Sequence, residues 1–101
     1  MIIYNVTIQP LWEIHDEWKK WMTEIHLPEM MATGCFLKYQ FCRLMDMDES
    51  EGPTYTIQYS IETKDDYNCY ITNHSTRMRQ KGMDLWNDKM IAFRSLMEVV
   101  H

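Results

Sequence analysis

The sequence predicts an α+β fold with the element order β-α-β-β-α-β, and three observations lead to that order. Residues 2–9 and 54–62 each alternate apolar and polar side chains with the two-residue period of a strand. An apolar stripe with helical spacing follows the first of these segments. Thr63, with Asp66 three positions later, matches a capping box and predicts the start of a second helix. The 101 residues are expected to form one domain, because this length is near the common domain size.

The N-terminal third is predicted to contain one strand and one long helix. Pro10 suits the start of the helix. Pro28 disfavours helical geometry at Leu27, so the helix is expected to end near His26, with one further short turn over residues 28–33. The positions predicted to face the core are Ile2, Tyr4, Val6 and Ile8 on the strand, and Ile14, Trp18, Trp21, Met22 and Ile25 on the helix.

The rest of the chain is predicted to hold three strands and a second helix. The predicted strands cover residues 35–45, 54–62 and 89–99. The acidic segment 46–53 is expected to turn the chain between the first two of them. The apolar stripe of the second helix consists of Tyr67, Tyr70, Ile71, His74 and Met78. Gly82 is predicted to break this helix, and Asn87 with Asp88 is predicted to form a tight turn before the last strand.

Right-handed crossovers then determine the topology. They place the first and third strands in the middle of a four-stranded antiparallel sheet, with both helices on one face, which is the ferredoxin-like arrangement. The opposite face carries Ile3, Asn5, Thr7, Gln9, Thr54, Thr56, Gln58 and Ser60, none of them charged. A sheet face exposed to water usually carries charged side chains, so a second copy of the chain is predicted to cover this face in a homodimer.

Charge and hydropathy argue against two classes of partner. The net charge of −5 disfavours nucleic-acid binding, which needs a basic patch. The aromatic side chains of the third strand also share a face with Ile57 and Ile61, not the open face that RNA-binding relatives of this fold use. No apolar run approaches the about 18 residues of a membrane span, and residues 1–6 indicate a strand, not a signal peptide.

The metal-binding side chains follow no known ligand pattern, so neither a metal nor a cofactor is expected. Cys35, Cys42 and Cys69 are odd in number and match no metal spacing, which favours reduced thiols in a cytoplasmic protein. The acidic segment 46–53 lacks the spaced ligands of a calcium loop. His15 and His26 are not part of a zinc motif.

His26 is the first candidate for a functional side chain. It follows the apolar stripe of the first helix, where a pocket between helix and sheet can open. A histidine has an ordinary pKa near 6.5, so it serves as an acid, a base or a proton relay. The competing interpretation is a C-terminal cap of the helix, where a partly cationic ring interacts favourably with the helix dipole.

Arg43 and Arg94 are the next candidates, because each lies on an apolar strand face. Arg43 shares its face with Phe41, and Arg94 shares its face with Ala92. A guanidinium in such a place needs a carboxylate partner or a ligand that supplies negative charge. The two interpretations are therefore an ion pair, within the chain or across a dimer, and an anion clamp in a pocket.

Two aromatic residues complete the candidate site. Trp21 could form part of an aromatic pocket wall, although its helical spacing also fits an ordinary core residue. Tyr59 belongs to a group of tyrosines that is large for a small core, and some of their hydroxyl groups must find hydrogen-bond partners inside the protein.

Four segments of the chain resemble domain-of-unknown-function family 4286, a group of small bacterial proteins. They are Met1–Thr7, Glu17–Met22, His26–Gly34 and Ile91–Leu96. The resemblance implies the ferredoxin-like fold, and the element order is similar to that of the dimeric α/β-barrel superfamily. That superfamily includes cofactor-independent monooxygenases and isomerases as well as ligand-sensing domains, and the family offers no catalytic motif to carry over.

Two functions remain open at this point. The first is a small dimeric module that binds a ligand or a partner protein without turnover. The second is a cofactor-independent monooxygenase or isomerase acting on a small aromatic or carboxylate metabolite, with His26 as the base and Arg43 or Arg94 as the anion clamp. The short list of catalytic motifs favours the first.

Overall fold

The computed structural model describes all residues 1–101 and contains one sheet with helices on one side. The strands are β1 (Ile2–Pro10), β2 (Lys38–Arg43), β3 (Tyr55–Ile61) and β4 (Met90–Glu98). The helices are α1 (His15–Trp21), α2 (Leu27–Ala32), α3 (Lys64–Asn73) and α4 (Ser75–Trp86). Short 3₁₀ turns at Trp12–Ile14 and Asn87–Lys89 and a π-helical turn at Met22–His26 connect them. No helix is long and apolar enough to cross a membrane.

The sheet has the predicted topology. Its strand order is β2-β3-β1-β4, and every neighbouring pair is antiparallel. Tyr4 lies opposite Tyr59 on one side and opposite Leu96 on the other, and Tyr59 also pairs with Tyr39. This register confirms that β1 and β3 are the central strands and gives the β-α-β-β-α-β order of the ferredoxin-like fold.

The two sheet faces differ as the period-two pattern predicted. The helix-facing side chains of the central strands are buried: Tyr4, Val6, Ile8, Tyr55, Ile57, Tyr59 and Ile61. On the other face, Asn5, Thr7, Thr56 and Gln58 are half-buried, and no helix lies over them.

The first helical segment does not end at His26 as expected. The backbone N–H of Leu27 donates to the carbonyl of Met22, five residues earlier, so the chain makes a π-helical turn and continues directly into α2. Pro28 has no N–H for an unbroken α-helical ladder, but it lies in the first turn of α2, where that group needs no helical partner. His26 is therefore inside a helical path and is not a C-terminal cap.

The π-helical turn also corrects the predicted apolar stripe. The buried positions are Trp18, Met22, Leu27 and Met30, so the inward spacing lengthens from four residues to five across the turn. Ile25, which regular helical spacing placed in the core, is 48% exposed. The one extra residue in the turn shifts every following side chain by one position around the helix axis.

The second helical segment breaks at a different residue from the one predicted. The break is at His74, whose φ of −131° leaves the helical range, and Ser75 begins α4. Gly82 instead lies inside α4, where a built Cβ would be 3.9 Å from the Trp21 ring and 3.7 Å from the Met90 methyl carbon. The glycine thus leaves room beside Trp21.

The remaining boundaries follow the sequence closely, with two exceptions. Pro10 is the last residue of β1, opposite Met90, and does not begin the helix as expected. At the start of α3 the Asp66 N–H donates to Thr63 Oγ1 over 3.2 Å, which confirms Thr63 as the N-cap, but the Asp66 carboxylate accepts from the Thr63 hydroxyl and not from its backbone N–H as in a complete capping box. β2 is shorter than expected, because Cys35 and Phe36 are buried in an irregular segment before it. Their burial explains the apolar pattern that suggested a longer strand.

Candidate functional site

A cavity opens between the helices and the helix-facing side of the sheet. The cavity is small, with a volume of about 50 Å³, and it opens to solvent at its mouth. Sixteen residues line it, and twelve of these are hydrophobic. Ligand pockets in proteins are mostly apolar with a few polar groups, so the lining suits a small and mainly apolar molecule.

Four flexible methionine side chains influence the volume of the cavity. Met22, Met30, Met78 and Met90 all line it. Methionine has an unbranched side chain that repacks at low cost, and methionine-rich surfaces accommodate varied ligands. The small free volume can therefore grow by side-chain movement without a change in the backbone.

His26 is the last residue of the π-helical turn and lines the cavity. The turn brings its ring, five residues after Trp21, into a stack with the indole at a centroid distance of 4.6 Å. His26 Nδ1 is inaccessible to water and has no hydrogen-bond partner in the protein. An unpartnered buried nitrogen is costly, and because Nδ1 exposes no surface to the cavity, a ligand group could satisfy it only after the lining side chains move.

Burial lowers the pKa of His26 from 6.5 to about 4. Desolvation is the largest cause; the positive charges of Arg94 and Lys81 act in the same direction, and the Glu29 carboxylate opposes them. The imidazole is therefore neutral at pH 7, with one ring nitrogen as donor and the other as acceptor. Such a ring is a good hydrogen-bond partner and a weak base.

Tyrosines from the sheet and from α3 form part of the cavity wall. Tyr59 and Tyr70 line it, and burial raises the pKa of both phenols above their ordinary range, so both are neutral. The Tyr70 hydroxyl donates to Met30 Sδ over 3.5 Å. Tyr4 packs between them, with ring centroids 6.0 Å from Tyr59 and 5.7 Å from Tyr70.

Two arginines lie at the cavity. Arg94, on β4, is in register with the buried Val6 and points to the helix side of the sheet. Arg79, on α4, donates from Nη2 to the Tyr4 hydroxyl over 3.2 Å. Neither arginine forms an ion pair, whereas the nearby Lys81 is bound to Glu29 at 2.8 Å.

The structure brings together four of the five residues singled out from the sequence. Trp21, His26, Tyr59 and Arg94 all line the cavity. Arg43 does not: it is on the correct sheet face but forms a bidentate pair with Glu49 and lies 5.9 Å from the Trp12 ring centroid. For Arg43 the ion-pair interpretation is the correct one.

Arg79 is the residue that sequence reasoning missed. Its partner Tyr4 is 75 positions away in the chain, so no local pattern reveals the contact. The only sequence signal is its place next to Met78, the last residue of the predicted apolar stripe.

No three His, Cys, Asp or Glu side chains lie close enough together to hold a metal ion. His15 contacts Tyr55 through Nε2 at 2.7 Å and Asp16 through Nδ1 at 3.0 Å, away from the cavity and from His26. The polar chemistry available in the cavity is thus that of a neutral imidazole, phenols and two guanidinium groups.

Solved structures show the same ferredoxin-like architecture along the whole chain. An ethyl tert-butyl ether d (ethd) family protein from Bacillus halodurans C-125 is 11% identical, with 98% of this chain and 100% of that chain covered and a TM-score of 0.68. A dimeric ferredoxin-like protein from an uncultured marine organism is 14% identical, with 99% and 96% covered and a TM-score of 0.63. An antibiotic biosynthesis monooxygenase is 15% identical, with 100% of both chains covered and a TM-score of 0.67.

At these sequence identities the structural similarity establishes the class of fold but not an activity. The protein is an α+β ferredoxin-like protein. Within that class the chain belongs to the family described as domain of unknown function DUF4286, whose model matches residues 1–100. No curated protein has a significant match to it.

Proposed function

We propose that this protein is a homodimeric binding protein for a small, mainly apolar molecule that occupies the cavity and contacts His26. The observation that supports this most strongly is the unpartnered, buried Nδ1 of a neutral histidine facing a cavity. We further propose that residues 1–101 act as one domain, and the three free cysteines favour a cytoplasmic location.

The alternative is turnover by a cofactor-independent monooxygenase or isomerase, with His26 as the base. Its support is that His26 and Arg94 line the same cavity, together with the antibiotic biosynthesis monooxygenase of similar fold. The pKa of about 4 favours binding, because an efficient general base has a pKa near the working pH.

The homodimer is proposed to form through the sheet face opposite the helices. There Ile91 is 64% exposed and Phe93 is 60% exposed. A second copy would cover this apolar pair. The marine protein of similar fold is itself described as dimeric.

Methyl NMR of the methionines tests the ligand site. Protein labelled with ¹³C at the Met ε-methyl groups is titrated with phenylacetamide, a neutral aromatic probe, at millimolar concentrations. The signals of Met22, Met30, Met78 and Met90 are expected to shift together, because these side chains line the cavity. If none of the four responds, while the probe stays soluble, the proposed site is wrong.

The chain supplies its own control for that titration. Met1, Met45 and Met83 are 56%, 85% and 60% exposed and lie outside the cavity, so their signals should stay in place. Equal shifts at these exposed methyl groups would indicate nonspecific contact with the surface and would contradict binding in the cavity.

A further inference from the structure

We propose that the natural ligand is an anion, a small carboxylate whose acid group binds between Arg79 and Arg94 while its apolar part enters the cavity. This inference rests on the proposed binding function and adds the charge of the ligand to it. It also assigns a role to Arg79, which no sequence pattern suggested.

The two guanidinium groups come from opposite walls of the same cavity. Arg79 reaches it from α4 and is held there by its hydrogen bond to the Tyr4 hydroxyl, 3.2 Å long. Arg94 reaches it from β4, the edge strand next to β1. Both side chains line the same cavity. In agreement with this, both positive charges lower the pKa of the Tyr70 phenol against the larger effect of burial, which raises it.

Both arginines at the cavity keep their positive charge without an ion pair. Asp and Glu outnumber Lys and Arg by 15 to 10, yet neither arginine at the cavity has a carboxylate partner. The one carboxylate close to His26, that of Glu29, is already bound by Lys81. Both arginines are exposed, so their charge is available at the mouth of the cavity.

Arginine suits a carboxylate because its planar guanidinium donates two parallel hydrogen bonds to the two oxygens. The lining behind the arginines is mainly hydrophobic and contains one neutral imidazole. A molecule with a carboxylate at one end and an aromatic or alkyl group at the other matches both parts. A neutral molecule of the same shape would leave the arginines in water.

Calorimetry with two matched probes tests the inference. Phenylacetate and phenylacetamide share the ring and the spacer and differ in charge. Phenylacetate is expected to bind at least about tenfold more tightly, because hydrogen bonds to charged groups are stronger than neutral ones. The preference should shrink as sodium chloride is added, since salt screens charges at an exposed mouth.

The variants Arg79→Met and Arg94→Met distinguish the contribution of the positive charge to this preference from the contribution of side-chain packing. Methionine keeps much of the aliphatic cover of the arginine side chain and removes the positive charge. Each variant is expected to lose most of the preference for phenylacetate. Arg77→Met is the matched control: it removes the same charge from α4 at a residue outside the cavity, and the preference should be unchanged.

The outcomes distinguish the two proposals. If wild-type protein binds both probes with equal affinity at low salt, the carboxylate inference is wrong and the binding function stands. If Arg77→Met reduces the preference as much as Arg94→Met, the effect is one of net charge, and the clamp is wrong. If neither probe binds and the cavity methyl signals do not move, the binding function and the inference both fail.

Discussion

His26 is neutral because folding removes most of its water without providing an anion in return. Its ring stacks on Trp21, Nδ1 has no partner, and the nearby Glu29 is bound to Lys81. The pKa therefore falls to about 4 despite the attraction of Glu29 for the protonated ring. A side chain kept neutral in this way is prepared to exchange a hydrogen bond with a ligand, not to hold a charge.

Because the His26 ring is buried and its pKa is lowered, the protein is expected to lose stability in acid. Between pH 6.5 and about 4 the unfolded chain binds a proton at His26 that the folded chain excludes, so the free energy of unfolding falls as the pH falls. The full difference corresponds to about 3 kcal/mol. Urea denaturation at several pH values should show this loss in the wild type.

His26→Asn is the comparison for that measurement, because asparagine does not titrate. The free energy of unfolding of the variant should depend less on pH over the same range. Charged groups present in both proteins, such as Glu29, Lys81 and Arg94, contribute equally to both curves and cancel when the two are subtracted. Parallel stability curves for the two proteins from pH 7 to pH 4 would contradict a neutral, buried His26.

At the scale of elements, the π-helical turn determines which side chains reach the cavity. Pro28 prevents an unbroken α-helix, and the five-residue step from Met22 to Leu27 carries the helix past it. The same step exposes Ile25 and places His26 against Trp21. Periodicity predicted the helix, and Pro28 marked the irregular position, but a sequence pattern does not distinguish a helix end from a π-helical turn.

The position of Gly82 inside α4 predicts that this helix can be stabilised. Gly82→Ala should raise the free energy of unfolding by up to about 1 kcal/mol, because glycine is the weaker helix former. The added Cβ would meet Met90 and Trp21 at 3.7 and 3.9 Å, which are ordinary contact distances. Thermal unfolding measures the change.

Gly82→Leu is the contrasting variant for the same site. Its longer side chain would extend toward Trp21 in the cavity wall, so it should lower stability or the affinity for phenylacetamide despite the better helix propensity. If Gly82→Ala destabilises the protein clearly, the space beside Trp21 is not as the structure describes it.

For the whole molecule, much of the fold could be predicted because its signals are local. Alternation identified β1 and β3, the N-cap at Thr63 located α3, and handedness gave the strand order. The candidate site was predictable only in part, because it depends on contacts between distant residues. His26 and Arg94 could be singled out, whereas the contact of Arg79 with Tyr4 arises from tertiary packing alone.

The uncharged sheet face leads to a prediction about assembly. Phe93→Lys places a charge beside Thr7 on the open face, where Phe93 is 60% exposed in the single chain. A lysine there would be buried without a partner in the proposed dimer, so sedimentation should show monomers in place of dimers.

Leu85→Lys provides the control for that experiment. Leu85 is similarly exposed, at 53%, but lies on α4, on the other side of the sheet. This variant should remain dimeric, and both variants should keep wild-type circular dichroism. A wild-type protein that sediments as a monomer at micromolar concentration would contradict the proposed assembly.

¹⁵N NMR of the His26 imidazole tests most directly whether this side chain is neutral and lines a ligand cavity. With ¹⁵N-histidine in the protein, the ring is expected to be neutral at pH 6, to titrate near pH 4, and to show a changed Nδ1 shift when phenylacetamide is added. A ring that titrates at 6.5 or above and does not respond to the probe would contradict a neutral His26 at a ligand site.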